Sequence, residues 1–132
     1  MIVVDTSAVL ALLLGEEESE RFALLLAIEA DVAMASPTFL EAKIVVSARL
    51  GDEGLSRFEA LLRETRMIIH PFDRPMAEIA ADAYRRYGRG SAHPARLNFG
   101  DCFAYALARF LHAPLLFKGD DFSATDAQPA LP

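Results

Sequence analysis

Met1-Ile-Val-Val-Asp5-Thr-Ser-Ala-Val-Leu-Ala-Leu-Leu-Leu-Gly15 opens the chain, and its reading decides the fold. Ile2–Val4 is a short β-branched run of the kind that is buried on both faces of a sheet. Thr6–Leu14 predicts a helix, and Gly15 stops it. A buried strand that passes at once into a helix is the unit of α/β proteins. The same alternation recurs outward from it. Glu16–Glu29 predicts a second helix with an acidic first turn and Phe22, Leu25 and Leu26 at helical spacing. Val32–Ala35 is a weak strand. Ser36-Pro37-Thr38 opens a helix to about Leu50, ended by Gly51, and a further helix spans about Gly54–Thr65. Met67–Pro71 is a strand, Arg74–Tyr87 a helix with Pro75 in its first turn, and Gly88–Asn98 a loop. Gly100–Leu111 is a helix and Leu115–Phe117 the last buried strand, followed by a polar, proline-marked tail. The expectation is an α/β fold: a mostly parallel central sheet with helices on both faces.

The length of 132 residues fits one domain, 1–132, and 53% hydrophobic residues supply a substantial core. No apolar stretch approaches the ~20 residues of a membrane span. One cysteine, Cys102, excludes an internal disulfide and suits a reducing compartment, so a cytoplasmic protein without membrane association is expected. The net charge of −6 argues against a protein that coats nucleic acid. The distribution of charge says more. No acid falls between Asp82 and Asp101, yet Arg85, Arg86, Arg89 and Arg96 lie there with His93, either a solvated loop or a docking patch for phosphates.

Four acids stand at the edges of apolar runs: Asp5, Glu41, Asp101 and one of the pair Asp120–Asp121, for which Asp120 is the first choice. Each has an ordinary local explanation. Asp5 can cap the first helix. Thr38-Phe-Leu-Glu41 matches a capping box, with Glu41 reaching back to Thr38. Asp101 sits where a helix dipole favours an acid, and Asp120 and Asp121 lie in a glycine-led turn. Taken together the set is harder to dismiss. Strand ends of a parallel sheet converge on one crevice, and helix first turns can face it. Carboxylates gathered there repel, each pair at ~4 Å by about 4 kcal/mol at an effective dielectric near 20. A divalent cation relieves that repulsion, and hard oxygen ligands suit Mg²⁺, with Mn²⁺ able to substitute. Thr6 and Ser7 could bond water in such a site, and Lys118 could neutralise it or touch a phosphate. Cys102 has no partners for nucleophilic chemistry and reads as a buried structural thiol, and the three histidines share no ligand spacing.

Asp5-Thr-Ser after the first strand, Thr38-x-x-Glu41, Asn98-x-Gly-Asp101-Cys and Leu115-Leu-Phe-Lys-Gly-Asp120-Asp-Phe, in this order, resemble the PIN-domain ribonucleases. More narrowly they resemble the VapC toxins of type II toxin–antitoxin modules, over the whole chain. The resemblance implies a Rossmann-like α/β/α fold and a Mg²⁺- or Mn²⁺-dependent endoribonuclease. It also implies a homodimer and a cognate antitoxin that inhibits it. Residue by residue, Asp5, Glu41, Asp101 and Asp120 take the acidic positions as metal ligands and catalytic groups, with Asp121 beside the last. Thr6 and Asn98 match supporting polar positions. Arg85, Arg86, Arg89, Arg96 and Lys118 are the expected RNA contacts. Two other classes compete. A phospho-acceptor receiver domain also has an acidic pocket and a late lysine, but requires an aspartate after a central strand. A non-catalytic partner-binding module could use the same fold.

Overall fold

The computed structural model describes all 132 residues. Its elements are β1 (Ile2–Val4), α1 (Thr6–Leu13), α2 (Ser19–Ile28), β2 (Val32–Ala35), α3 (Ser36–Thr65), β3 (Ile68–His70), α4 (Arg74–Tyr87), α5 (Phe99–Leu111) and β4 (Leu115–Leu116). The four strands form one sheet in the order β3-β2-β1-β4, and every neighbouring pair is parallel. Alternation along β1 divides the core between the two faces. Val3 turns toward a cluster with Met76, Ala83, Tyr105 and Leu107 of α4 and α5. Ile2 and Val4 turn to the other side, against Val9, Phe22, Val46 and Phe58 of α1, α2 and α3. The α/β/α architecture follows from strands that are apolar on both faces.

Several boundaries differ from the sequence expectation, each for a physical reason. The helix expected from Glu16 begins only at Ser19, because Glu16 and Glu18 form a turn whose carboxylates meet Lys118. The two helices expected between Ser36 and Thr65 run on as one interrupted helix, bent at Gly51. There φ is +64° and ψ −156°, a backbone state open to glycine at little cost. Thr38 does not cap α3. The helix already starts at Ser36, with Pro37 in its first turn, so Thr38 lies inside it, wholly buried. The segment expected as a loop, Gly88–Asn98, contains a 3₁₀ turn at Arg89–Ser91 and closes on itself through Leu97 N–H to Tyr87 O at 2.8 Å. The tail is not free either. Leu115 N donates to Gln128 O at 2.8 Å and Ala130 N to Leu115 O at 2.9 Å, so the chain returns along the β4 edge. No helix is long and apolar enough to cross a membrane.

Candidate active site

Three adjacent strands deliver acids to one end of the sheet. Asp5 directly follows β1 in its centre, and Glu41 lies in the second turn of α3, which starts where β2 stops. The Asp120–Asp121 pair follows β4. Asp101 comes from the opposite layer, in the first turn of α5.

Asp5 caps α1 and is 4% exposed. Its Oδ2 accepts from Ser7 N at 3.0 Å and Ser7 Oγ at 2.6 Å. Ser7 Oγ in turn accepts from Lys118 N at 3.0 Å, which ties the β1 acid to the segment leaving β4. Asp101 is 8% exposed and forms a reciprocal capping box with Asn98. Asp101 N donates to Asn98 Oδ1 at 2.8 Å, and Asn98 N to Asp101 Oδ2 at 2.9 Å. Glu41 does not reach back to Thr38, as a capping box would require. Its Oε1 accepts instead from Thr6 Oγ1 at 2.5 Å. The far side of that carboxylate lies on Gly100, where a Cβ would stand 2.1 Å from Glu41 Oε2. Only a residue without a side chain lets α5 approach so closely.

The charges act on one another. Burial pushes the Asp101 carboxyl up to about 7 against the Asn98 hydrogen bond, and the charges of Asp5, Asp121 and Glu41 push it further. Burial likewise raises Asp5 to about 6, with Glu41 adding to the effect against the Ser7 bonds. Of the pair after β4, Asp121 is among the charges that raise Asp101.

No cation neutralises the group. Lys118 does not enter the pocket; it is held by Glu16 and, at 3.4 Å, by Glu18. Arg85 pairs with Asp82 at 2.7 Å. Arg86 bonds Tyr87 Oη at 2.7 Å, lies over the Tyr87 ring and meets Asp82 and Asp126 at 3.5 and 3.8 Å. Both arginines are thus already partnered within the fold. Arg89 and Arg96 stand exposed in the neighbouring loop.

This donor set fits a hard divalent cation. It consists of carboxylate oxygens in excess of local positive charge, and each of Asp5, Glu41 and Asp101 commits one oxygen to a protein donor and keeps one for a ligand. The buried Thr38 hydroxyl, next to the Thr6–Glu41 contact through its own carbonyl, has no protein partner. No three of the acids close around one point at ligand distance as they stand.

Two positions escaped the sequence reading: Gly100 admits Glu41, and Asp126 binds Tyr105 of α5, while Ser7, expected to bond water, bridges Asp5 to the β4 exit. The first had a signal in the Asn-x-Gly-Asp string; Asp126, in a polar tail, had none. Cys102 is buried and bonds Asn98 O, as a structural thiol does. The receiver alternative lacks the paired acids such domains carry after the first strand, since Asp5 is followed by Thr6, and β3, after which a separate acceptor would stand, ends in His70-Pro71 at the sheet edge.

The sequence profile of the PIN domain matches residues 2–128. Ribonuclease VapC42 of Mycobacterium tuberculosis is 40% identical over 129 residues, which cover 98% of each chain. Ribonuclease VapC30 of the same organism is 42% identical over 134 residues, 99% of this chain and 100% of that one. Among solved structures, the M. tuberculosis toxin VapC20, described as cleaving the sarcin–ricin loop, superposes with a TM-score of 0.79 at 22% identity over all of both chains. VapBC2 from Rickettsia felis, solved bound to promoter DNA, superposes at 0.75 with 16% identity, covering 98% of this chain and 96% of that one. Parallel sheet, acid order and full-length likeness agree: the chain belongs to the PIN-domain family, among its VapC ribonucleases.

Proposed function

We propose that this protein is a divalent-metal-dependent endoribonuclease and the toxin of a type II toxin–antitoxin module. One observation carries the reading: four acids from four separate segments act on one another at one sheet end, two of them buried, with no basic side chain among them. Such an arrangement opposes folding unless a ligand repays it.

Asp5 and Asp101 are the principal metal ligands in this reading, with Glu41 and Asp121 completing the site directly or through water. Sequence favours Asp120 as the fourth acid; we take Asp121 beside it as the working choice, since its charge contributes to the rise of Asp101. Bound Mg²⁺ or Mn²⁺ would lower the pKa of water and offset charge growing on the phosphate. Ser7 and Asn98 hold the Asp5 and Asp101 carboxylates through their first-turn bonds, and Thr6 holds Glu41. Water adds at phosphorus, one ester P–O bond breaks, and the departing ribose oxygen takes up a proton. Arg89 and Arg96 are the side chains available to dock RNA phosphates. Cleavage of total RNA that needs Mg²⁺ and is lost in folded Asp5→Asn tests the assignment; equal cleavage by that variant would refute it.

The partner reading rests on the same family. Leu12, Ala23, Ala27 and Leu61, with Glu29, Glu64 and Arg66 at the rim, line a groove of about 440 Å³ between α1, α2 and the second arm of α3. A helix of a small antitoxin would lie there by its apolar face. Since Glu29 of the groove pairs with the Met1 amine at the start of β1, a further segment of that partner would run to the strand ends to bring a basic side chain among the acids. Phe22 and Leu26 are core, 3% and 4% exposed, so the stripe expected from sequence offers a partner little surface. A homodimer is part of the same proposal. Growth arrest on expression, relieved by co-expression of the protein encoded beside it, is the expected result.

A further inference from the structure

The chain between β4 and its own return to β4 is a closed loop. It leaves at Phe117, carries Asp120 and Asp121, and comes back where Gln128 and Ala130 bond Leu115. Three ties hold it to the rest of the protein. At its start Lys118 N donates to Ser7 Oγ, 3.0 Å away. In its middle Phe122 is buried, its ring 5.1 Å from that of Phe117. At its end Asp126 takes the hydroxyl hydrogen of Tyr105 on one carboxylate oxygen, while Arg109 and Arg86 approach the other at 3.5 and 3.8 Å.

The third tie has a geometric consequence. Tyr105 and Arg109 lie one and two helical turns beyond Asp101 on α5, so all three share a face. One helix therefore carries an acid of the site and also grips the loop that carries another. Tyr105 is 1% exposed, a rigid post rather than a mobile surface group. The other two ties differ in kind: Lys118 bonds α1 through its backbone, and Phe122 packs on Phe117 and into the apolar core that α5 shares, without a polar bond. Asp126 alone links the far limb of the loop by side-chain bonds to the helix bearing Asp101.

We propose that Asp126 is a positioning residue, which through Tyr105, Arg109 and Arg86 fixes the distance between Asp121 and Asp101. It touches neither substrate nor metal. The inference rests on the reading of Asp121 and Asp101 as members of one metal site. It also assigns Arg86 a structural task in place of the RNA contact expected from sequence.

The test measures Mn²⁺ binding by calorimetry and local amide exchange in Asp126→Asn, Tyr105→Phe, Asp121→Asn and the Asp121→Asn/Asp126→Asn double variant. Asp126→Asn and Tyr105→Phe should each weaken Mn²⁺ binding about 10- to 100-fold, the range for groups that orient ligands. Amides of residues 119–126 should lose protection while those of α5 keep it. The double variant should bind little more weakly than Asp121→Asn alone, because the latch has nothing left to position. Should Asp126→Asn fail to fold, Tyr105→Phe, which removes only one hydroxyl, decides by the same measurements. Wild-type Mn²⁺ affinity in the folded latch variants, with Asp121→Asn impaired, would overturn the latch and leave the site standing. Full additivity in the double variant would overturn it too. Wild-type affinity in Asp121→Asn would remove the fourth acid itself, and the latch with it.

Discussion

Acidifying metal-free protein from about pH 8 to about pH 5 should stabilise it, contrary to the usual course of acid denaturation. The sign follows from Asp101 and Asp5. Both carboxyls are raised in the folded state, from 3.8 to about 7 and about 6. The native protein thus binds these protons more tightly than the unfolded chain does. Their contribution to stability is fully present below the unfolded value of 3.8 and is lost as pH rises through the folded values. The window therefore runs from about 4 to about 7. Asp82, bonded by Arg85, titrates below the usual carboxylate range, as does Asp126, whose burial is outweighed by Tyr105, Arg109 and Arg86. What those two contribute is lost only in more acid solution.

The size follows from the same shifts. One pKa unit is worth about 1.4 kcal/mol, so over the whole window Asp101 accounts for about 4 kcal/mol and Asp5 for about 3 kcal/mol, of which about 3 and about 1 kcal/mol are recovered by about pH 5. The two share their mutual repulsion, so the total is smaller than the sum. Asp101→Asn is the sharpest perturbation, because an amide oxygen still accepts from Asn98 N while the charge is gone. Without metal at about pH 8, this variant should be more stable than wild type by about 2–4 kcal/mol, or roughly 10 °C in Tm. Its stability should also respond less to pH. Saturating Mg²⁺ should close the gap: wild type gains about 2.7 kcal/mol at 100 times the dissociation constant and about 4.1 kcal/mol at 1,000 times, and the variant gains little. Thermal and urea melts with chelator at the two pH values are the assay. Wild type that is less stable at the lower pH, or Asp101→Asn that is less stable than wild type at the higher one, would refute the electrostatic account.

Gly100→Ala should leave the fold intact, since alanine is the better helix former by about 1 kcal/mol and the clash falls on the end of a flexible side chain. It should nonetheless displace Glu41 and cut RNA cleavage at least tenfold; unchanged cleavage would show that Glu41 need not occupy its seat on α5. Arg86→Ala should lower Tm with little change in the salt dependence of RNA binding. Arg89→Ala with Arg96→Ala should leave Tm alone and reduce the slope of log K against log salt by roughly 1.4, two single-strand phosphate contacts; the opposite pattern would return the docking role to Arg86.

Most of the fold was legible because local preference and burial coincide. Ile2–Val4 is β-branched, apolar on both faces and central in the sheet. Arg74–Tyr87, with Pro75 in its first turn and Asp73 as cap, forms the helix its sequence announces. The misread boundaries depend on residues distant in sequence. Glu16 and Glu18 resemble first-turn acids, and only the arrival of Lys118 from the other end of the chain makes them ion-pair partners. Arg85 and Arg86 make a basic run on paper, yet Asp82 one turn back and Asp126 from the tail occupy them.

The acids show why the chemistry was harder to read than the fold. Capping and ligand binding looked like rival explanations of Asp5 and Asp101, and the capping bonds in the structure are compatible with both. A carboxylate has two oxygens. At Asp5 one receives both Ser7 donors, and at Asp101 one receives Asn98 N, which fixes each side chain over the sheet end with the other oxygen left for a ligand. Glu41 is fixed in the same way by Thr6, although the capping partner its sequence offers, Thr38, lies buried without any. A string of residues shows which donor is near in sequence. It does not show which of two oxygens remains, nor that a glycine on another helix makes room for it. Those facts belong to the packing of α1, α3 and α5 around one strand end. For this reason an asparagine at Asp5 or Asp101 is expected to preserve a helix start while removing the charge that holds a cation.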